Sequence, residues 1–124
     1  MRKAKASDVK NLSKRYGCPV EFALDLLDGK WKPVILARLK ERPHRYSELR
    51  RLIPNLTDKM LTESLKSLEN RGMIERDAGI ADLPRRLYRL TAQGESLRPI
   101  LDALYCWGAM TAATMSVSFP DSEG

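Results

Sequence analysis

The stretch from residue 57 to residue 70 does most to limit what this chain can become. At about 100° per residue, Leu61, Leu65 and Leu68 fall within roughly 60° of one another. Lys59, Glu63, Lys66 and Asn70 gather on the other side, with Thr62 beside them. Thr57 has the side chain of a helix N-cap and Gly72 suits the left-handed position just past a helix end, so the spacing predicts one amphipathic helix between them. One face of such a helix needs a core, and the other presents a row of hydrogen-bonding side chains to solvent. By itself this describes an ordinary surface helix, so its neighbours decide what it is for.

Upstream, Pro19 can open a helix, because its missing N–H would be unpaired in the first turn anyway. Val20, Ala23, Leu24 and Leu27 follow at helical spacing, and Gly29 stops it. A second helix is expected from about Trp31, with Pro33 tolerated in its first turn and Trp31, Val34, Ile35 and Leu39 on one face; Pro43 ends it. A third runs from Tyr46 or Ser47 to Ile53, with Ser47 as candidate N-cap, Glu48 near the positive end of the dipole and Leu49, Leu52 and Ile53 as the apolar stripe. Pro54-Asn55 breaks it. Beyond Gly72 come two strand signals, residues 73–78 and 86–90, joined by Gly79-Ile80-Ala81-Asp82-Leu83-Pro84-Arg85, which has turn chemistry. Thr91 would then cap one long last helix lined by Leu97, Ile100, Leu101, Leu104 and Trp107. The order describes a mainly α chain with a small β-wing, a winged helix-turn-helix flanked by terminal helices. The expected division is a basic tail (1–17), the domain proper (18–115) and a flexible C-terminal tail (116–124).

Charge follows that division. The chain carries 22 Lys+Arg against 16 Asp+Glu, net +6. Residues 1–17 contribute +5, 18–29 contribute −3, 30–89 contribute +7 and 90–124 contribute −3. A basic middle between acidic segments suggests a polyanionic partner for the middle. The tail suits either a solvated terminus or a phosphate-binding arm.

Several classes of function are excluded or weakened by the residues present. His44 is the sole histidine, and Cys18 and Cys106 stand 88 positions apart, too few and too dispersed for a Cys/His zinc site or a disulfide framework. Neither GxGxxG nor GxxxxGK[ST] occurs, and no cofactor is indicated. Residues 103–120 carry no charge but are interspersed with Thr, Ser, Gly and Pro, too polar for a membrane span. The N-terminus lacks the apolar stretch of a signal peptide, so a cytoplasmic protein is expected. His44, in a basic loop beside Pro43, is expected at the surface, and Trp31 and Trp107 at core or interface positions by their period.

In a helix-turn-helix the second helix enters the major groove led by its N-terminal residues. Here those are Thr57, Asp58, Lys59, Thr62 and Glu63, with Lys66 on the same exposed side. Arg45, Arg50 and Arg51 bracket the third helix, which in this motif crosses the phosphate backbone, and Arg85 and Arg86 sit at the hairpin. Three basic clusters in one motif order favour double-stranded DNA. A rival reading is a non-specific nucleic-acid binder, which would spread its charge evenly and need no dimer-forming helix. A second rival is a thiol-based enzyme using Cys18, which lacks a nearby histidine base.

Residues 18 to about 108 resemble the HxlR-type helix-turn-helix family of bacterial transcription regulators. The resemblance lies in Cys18-Pro19-Val20, Gly29-Lys30-Trp31, Tyr46-Ser47-Glu48-Leu49-Arg50, Leu56-Thr57-Asp58-Lys59-Met60-Leu61-Thr62, then Leu65, Leu68 and Glu69. Gly72-Met73-Ile74, Tyr88-Arg89-Leu90-Thr91, Gly94 and Trp107-Gly108 continue it. It implies a homodimeric regulator, joined through the first and last helices, on a pseudo-palindromic operator. By position, Lys59 and Thr62 would be base or phosphate contacts, Arg45, Ser47 and Arg50 would bind backbone, and the wing arginines Arg85 and Arg86 would reach the adjacent groove. The wing departs from the family pattern, with Gly79-Ile80 and a single Pro84. Some members sense oxidants or electrophiles through a thiol at the position of Cys18. The resemblance thus allows an intersubunit Cys18–Cys106 disulfide. The alternatives are helix-start packing for Cys18 and, favoured for Cys106, the fate of a buried small hydrophobe. No effector is indicated.

Overall fold

The structure, a computed structural model, describes residues 16–77 and 86–120. Its helices are α1 (Pro19–Leu26), α2 (Trp31–Glu41), α3 (Tyr46–Leu52) and α4 (Asp58–Asn70). Two strands, β1 (Ile74–Arg76) and β2 (Tyr88–Leu90), precede α5 (Ala92–Glu95) and α6 (Arg98–Thr114). The expected basic tail lies almost wholly outside the described residues, as do Ala78, the hairpin loop with Arg85, and residues 121–124.

The core forms where α2 meets α4. Ile35, Leu36 and Leu39 of α2 and Leu61, Leu65 and Leu68 of α4 are all buried, joined by Leu49 and Ile53 from the α3 region and by Leu101 of α6. Trp31 and Val34 pack half-buried against the same cluster. The stripe expected on α4 is thus the one that is buried, while Leu36 adds a core position outside the face expected for α2. Leu56, 1% exposed in the turn between α3 and α4, plugs the corner of the motif.

Helix ends follow local chemistry. Thr57 Oγ1 accepts the Met60 N–H at 3.1 Å, so the expected cap of α4 holds. Gly72 takes φ +77°, a left-handed turn that lets Met73 N–H return to the Leu68 carbonyl at 3.0 Å. The N-cap of α3 is Arg45 rather than Ser47, and the Glu48 carboxylate accepts the Arg45 N–H at 2.9 Å. Placing the cap two residues earlier leaves Ser47 exposed on the first turn of the helix.

Beyond α4, β1 and β2 pair antiparallel, with Ile74 opposite Leu90 and Arg76 opposite Tyr88. Both strands are shorter than expected. Tyr88 also pairs with His44 on its other side, through N–H···O bonds of 3.1 Å and 2.8 Å. This bridge brings the chain entering α3 alongside the wing.

The single long last helix expected after Thr91 is divided. Thr91 caps the short α5, accepting from Gly94 N–H at 3.1 Å. A new helix, α6, begins at Arg98. Pro99 is the reason: it has no N–H to offer the Glu95 carbonyl four residues back, and its ring would clash there. On α6, Leu101 and Ala112 are buried, whereas Ile100, Leu104 and Trp107 of the expected stripe are exposed in the single chain.

Gly94 is held where no side chain fits. A Cβ there would fall well inside the contact distance of the Met73 carbonyl oxygen and 3.2 Å from Leu90 Cδ2. That carbonyl also accepts the Thr91 N–H at 3.1 Å, so it cannot move freely. Gly94→Ala is expected to cost roughly 2–3 kcal/mol through overpacking, read as a lower urea midpoint with an unchanged m-value.

Candidate nucleic-acid interface

The outward face of α4 follows from its inward one. With Leu61, Leu65 and Leu68 committed to the core, Thr57, Asp58, Lys59, Thr62, Glu63 and Lys66 are all exposed. The first of these residues stand at the N-terminal end, where helix and turn meet.

That end is braced by polar contacts. The Tyr46 hydroxyl lies 2.9 Å from Asp58 Oδ1, to which it donates, and 3.3 Å from Thr62 Oγ1. Arg50 Nε sits 2.7 Å from the same Asp58 oxygen, and its Nη1 donates to the Leu56 carbonyl. Arg50 therefore spans the turn and neutralises the carboxylate at the head of α4. The structure gives it a bracing role beside any contact with phosphate, because its guanidinium already serves two partners within the chain. Tyr46, which sequence reasoning treated only as a helix start, is the second brace.

The His44–Tyr88 bridge creates an open groove between α3 and the strands, lined by Arg45, Tyr46, Ser47, Arg76, Arg86 and Tyr88. Arg45, Ser47 and Arg86 were expected to face DNA, and the fold brings all three together. Arg76 was not expected. Its guanidinium lies over the Tyr88 ring, 5.6 Å from the centroid, and 3.7 Å from Glu69 Oε2. Nothing in a three-residue strand advertises this, since the contact depends on the strand pairing. Arg85 lies outside the described residues.

His44 corrects an expectation. It is 2% exposed, not at the surface, because its backbone is claimed by Tyr88 and its ring is covered in the process. Nδ1 stands 3.5 Å from Glu48 Oε1. Burial, followed by the charge of Arg42, holds the imidazole below its usual titration range, against the opposing pull of Glu48. The Arg45 N–H bond, more than any other influence, lowers the Glu48 carboxyl.

The cysteines also depart from expectation in part. Both are free and exposed, so Cys106 is not a buried hydrophobe in the single chain. Cys18 is the N-cap residue of α1. Among the described residues, no cluster of three His, Cys, Asp or Glu side chains could hold a metal ion, and no helix is long and apolar enough to cross a membrane.

A short helix, a turn plugged by Leu56, an amphipathic second helix and a paired wing define a winged helix-turn-helix with a basic groove at its open side. The chain belongs to the HxlR-like helix-turn-helix family, whose model matches residues 26–116, and is thus a transcription regulator by family. It is 46% identical over 95 residues to an uncharacterized HTH-type transcriptional regulator of Methanothermobacter thermautotrophicus, covering 77% of this chain and 72% of that one. It is 47% identical over 96 residues to the Bacillus subtilis regulator YtcD, covering 77% and 76%. Among solved structures it resembles the redox regulator HypR in its oxidized form, with a TM-score of 0.71 and 38% identity over 75% of this chain and 96% of that one. It also resembles quinone-bound YodB of B. subtilis, with a TM-score of 0.62 and 32% identity over 75% and 99%.

The lowered His44 titration has a consequence for stability. An unfolded histidine takes up its proton near pH 6.5, whereas the folded one resists it to lower pH. Below that pH the unfolded state binds more protons, so stability falls as pH drops from 6.5 towards the folded value. Glu48 acts lower on the pH scale: its stabilisation is present above its ordinary value of 4.5 and is lost below it. His44→Gln should flatten the upper part of the curve and leave most of the carboxylate part, whose first cause is the Arg45 N–H bond, as measured by urea unfolding at stepped pH.

Proposed function

We propose that the chain is a cytoplasmic, sequence-specific regulator that binds a pseudo-palindromic DNA operator as a homodimer. The observation that carries this is the exposed polar face of α4, with Lys59 and Thr62 near its head, beside a groove bearing Arg45, Arg76 and Arg86. Side chains on α4 suit base edges, and arginines in the groove suit phosphates. Thr57 and Lys66 extend the α4 surface, and Ser47 adds a hydroxyl donor at the groove.

The dimer is supported by apolar exposure. Val20 and Leu24 of α1 and Leu104, Trp107 and Met110 of α6 are each half or more exposed. A monomer rarely displays so many large apolar side chains without burying them against something. A second copy meeting these two helices would place one α4 in each half-site, about one helical turn or roughly 34 Å apart.

The purified chain should sediment as a dimer and enrich a palindromic sequence from random duplexes. Lys59→Ala is expected to lose discrimination between operator and random duplex as well as affinity. Arg86→Gln should weaken binding to both alike and reduce the salt slope by about one unit. Equal wild-type affinity for operator and random duplex would overturn specific regulation.

A second reading concerns oxidants or electrophiles. Cys18 is exposed at the head of α1 and Cys106 is exposed on α6, so both thiols lie on the proposed dimer helices. Two relatives in this fold are described as a redox regulator and as quinone-bound. In the oxidised state the two thiols, one from each copy, would give two electrons and two protons to peroxide, which leaves as water, and join as a disulfide. Non-reducing electrophoresis and mass spectrometry after mild peroxide should show a cross-linked dimer that Cys18→Ser abolishes. A chain that stays uncross-linked with Cys18 unmodified would sink this reading.

A further inference from the structure

α1 is fastened to the body by polar atoms more than by burial. None of its residues is buried, and Leu27 at its C-cap is only half-buried against the core. The polar fastening comes from Arg71, the C-cap residue of α4. Its Nη1 donates to the Leu26 carbonyl at 2.6 Å and to the Asp25 carbonyl at 2.9 Å, and lies 3.4 Å from Asp28 Oδ1. The last carbonyls of a helix lack partners within it and carry the negative end of its dipole, so a guanidinium is well suited to them. The Arg71 side chain is 10% exposed, which strengthens these bonds. The joint is reinforced from α2, where Lys32 Nζ lies 3.0 Å from the same Asp28 oxygen. On the far side, the Tyr16 hydroxyl donates to Asp25 Oδ2 at 2.7 Å.

One side chain thus joins the end of the helix that would read DNA to the end of a helix that would face the partner. We propose that Arg71 is a positioning residue: it sets the angle between α1 and the body carrying α4, and so the separation of the two α4 helices in a dimer. This rests on the reading of the chain as a DNA-binding homodimer through α1 and α6. Lever geometry makes the joint sensitive. α4 has 13 residues, and is therefore about 20 Å long. A rotation of about 10° at its Arg71 end swings its head by roughly 3.5 Å, which is one base-pair step. The other proposed dimer helix, α6, has its own anchors in buried Leu101 and the Lys40–Asp102 ion pair at 2.7 Å. Loosening Arg71 would therefore leave a dimer whose two halves no longer hold one spacing.

The test uses the full chain and fluorescent duplexes bearing a half-site enriched by the wild type from a random-sequence library. The half-site is placed singly, or as inverted pairs separated by about 9 to 12 base pairs, bracketing one helical turn. Wild type is expected to prefer one separation by about tenfold. Arg71→Gln, which loses the charge and the planar fork, should bring all separations within about twofold of one another while single half-site affinity stays within about twofold. Arg71→Lys, which keeps a donor for the carbonyls, should fall between. A merely structural role would weaken single sites and pairs alike and leave the preferred spacing in place, so that pattern overturns the proposal, as does an Arg71→Gln profile as sharp as the wild type's. If Arg71→Gln does not fold, Arg71→Lys decides: a broadened profile supports the proposal and an unchanged one overturns it. If the library enriches no sequence, the DNA reading itself fails and the proposal falls with it, whereas enrichment with unchanged spacing overturns the role of Arg71 alone.

Discussion

The contact between the leucines of α4 and the Ile35-Leu36-Leu39 face of α2 is the interaction on which everything else in this chain depends. Each fully buried Leu or Ile contributes about 1.5–3 kcal/mol by leaving water, so six of them dominate what a chain this small can muster. α2 also touches α6 and β2, which makes it the hub of the packing. Because Leu61, Leu65 and Leu68 fix the rotation of α4 about its own axis, they also fix which side chains point outward. The outward face of Lys59, Thr62 and Lys66 is a geometric consequence of the core, and one misplaced leucine would turn it away.

Rotation alone does not fix where the head of α4 stands. That is settled by a chain of polar braces at the corners. Arg50 and Tyr46 converge on Asp58, the Arg45 N–H is met by Glu48, and the Thr91 hydroxyl donates to the Gly72 carbonyl at 2.6 Å. Each satisfies a backbone or carboxylate group that would otherwise face a half-buried site unpaired. Exposed ion pairs contribute little to stability by themselves. Their effect here is angular: they choose one arrangement of short elements that hydrophobic packing would leave loose.

The parts of the fold legible in the sequence are those whose cause is local. The α4 stripe, its Thr57 cap, Gly72 and the opening of α1 at Pro19 all rest on residues within a few positions of one another. Pro99 is equally local, and the break between α5 and α6 follows from its missing N–H alone. His44 is the opposite case. Its burial comes from pairing with Tyr88, 44 positions away, and no spacing rule near Pro43 carries that information. Arg76 belongs to the same class, since it reaches the groove only once β1 and β2 pair. The exposed stripe on α6 shows a third limit. The period of Ile100, Leu104 and Trp107 says that one face is apolar, but not whether it meets its own core or a second copy.

Charge placement bears on that last ambiguity. If the apolar faces of α1 and α6 were covered by the chain's own basic middle, the +7 of residues 30–89 would be brought against the segments that carry −3 each. The attraction would favour closure, yet Val20, Leu24, Leu104 and Trp107 stay exposed even though Lys40–Asp102, Lys32–Asp28 and Arg71–Asp28 already pair the middle with those segments. In the proposed dimer the segments that approach one another are the acidic ones, rich in uncharged side chains between residues 103 and 120. The two basic surfaces stay apart, so their mutual repulsion is screened over distances beyond the Debye length of about 8 Å at physiological salt. A polyanion spanning both surfaces would then remove the remaining repulsion, so DNA binding and dimer formation would each favour the other. The division of charge along the chain is therefore also a division of labour between the surface that would meet a second copy and the surface that would meet DNA.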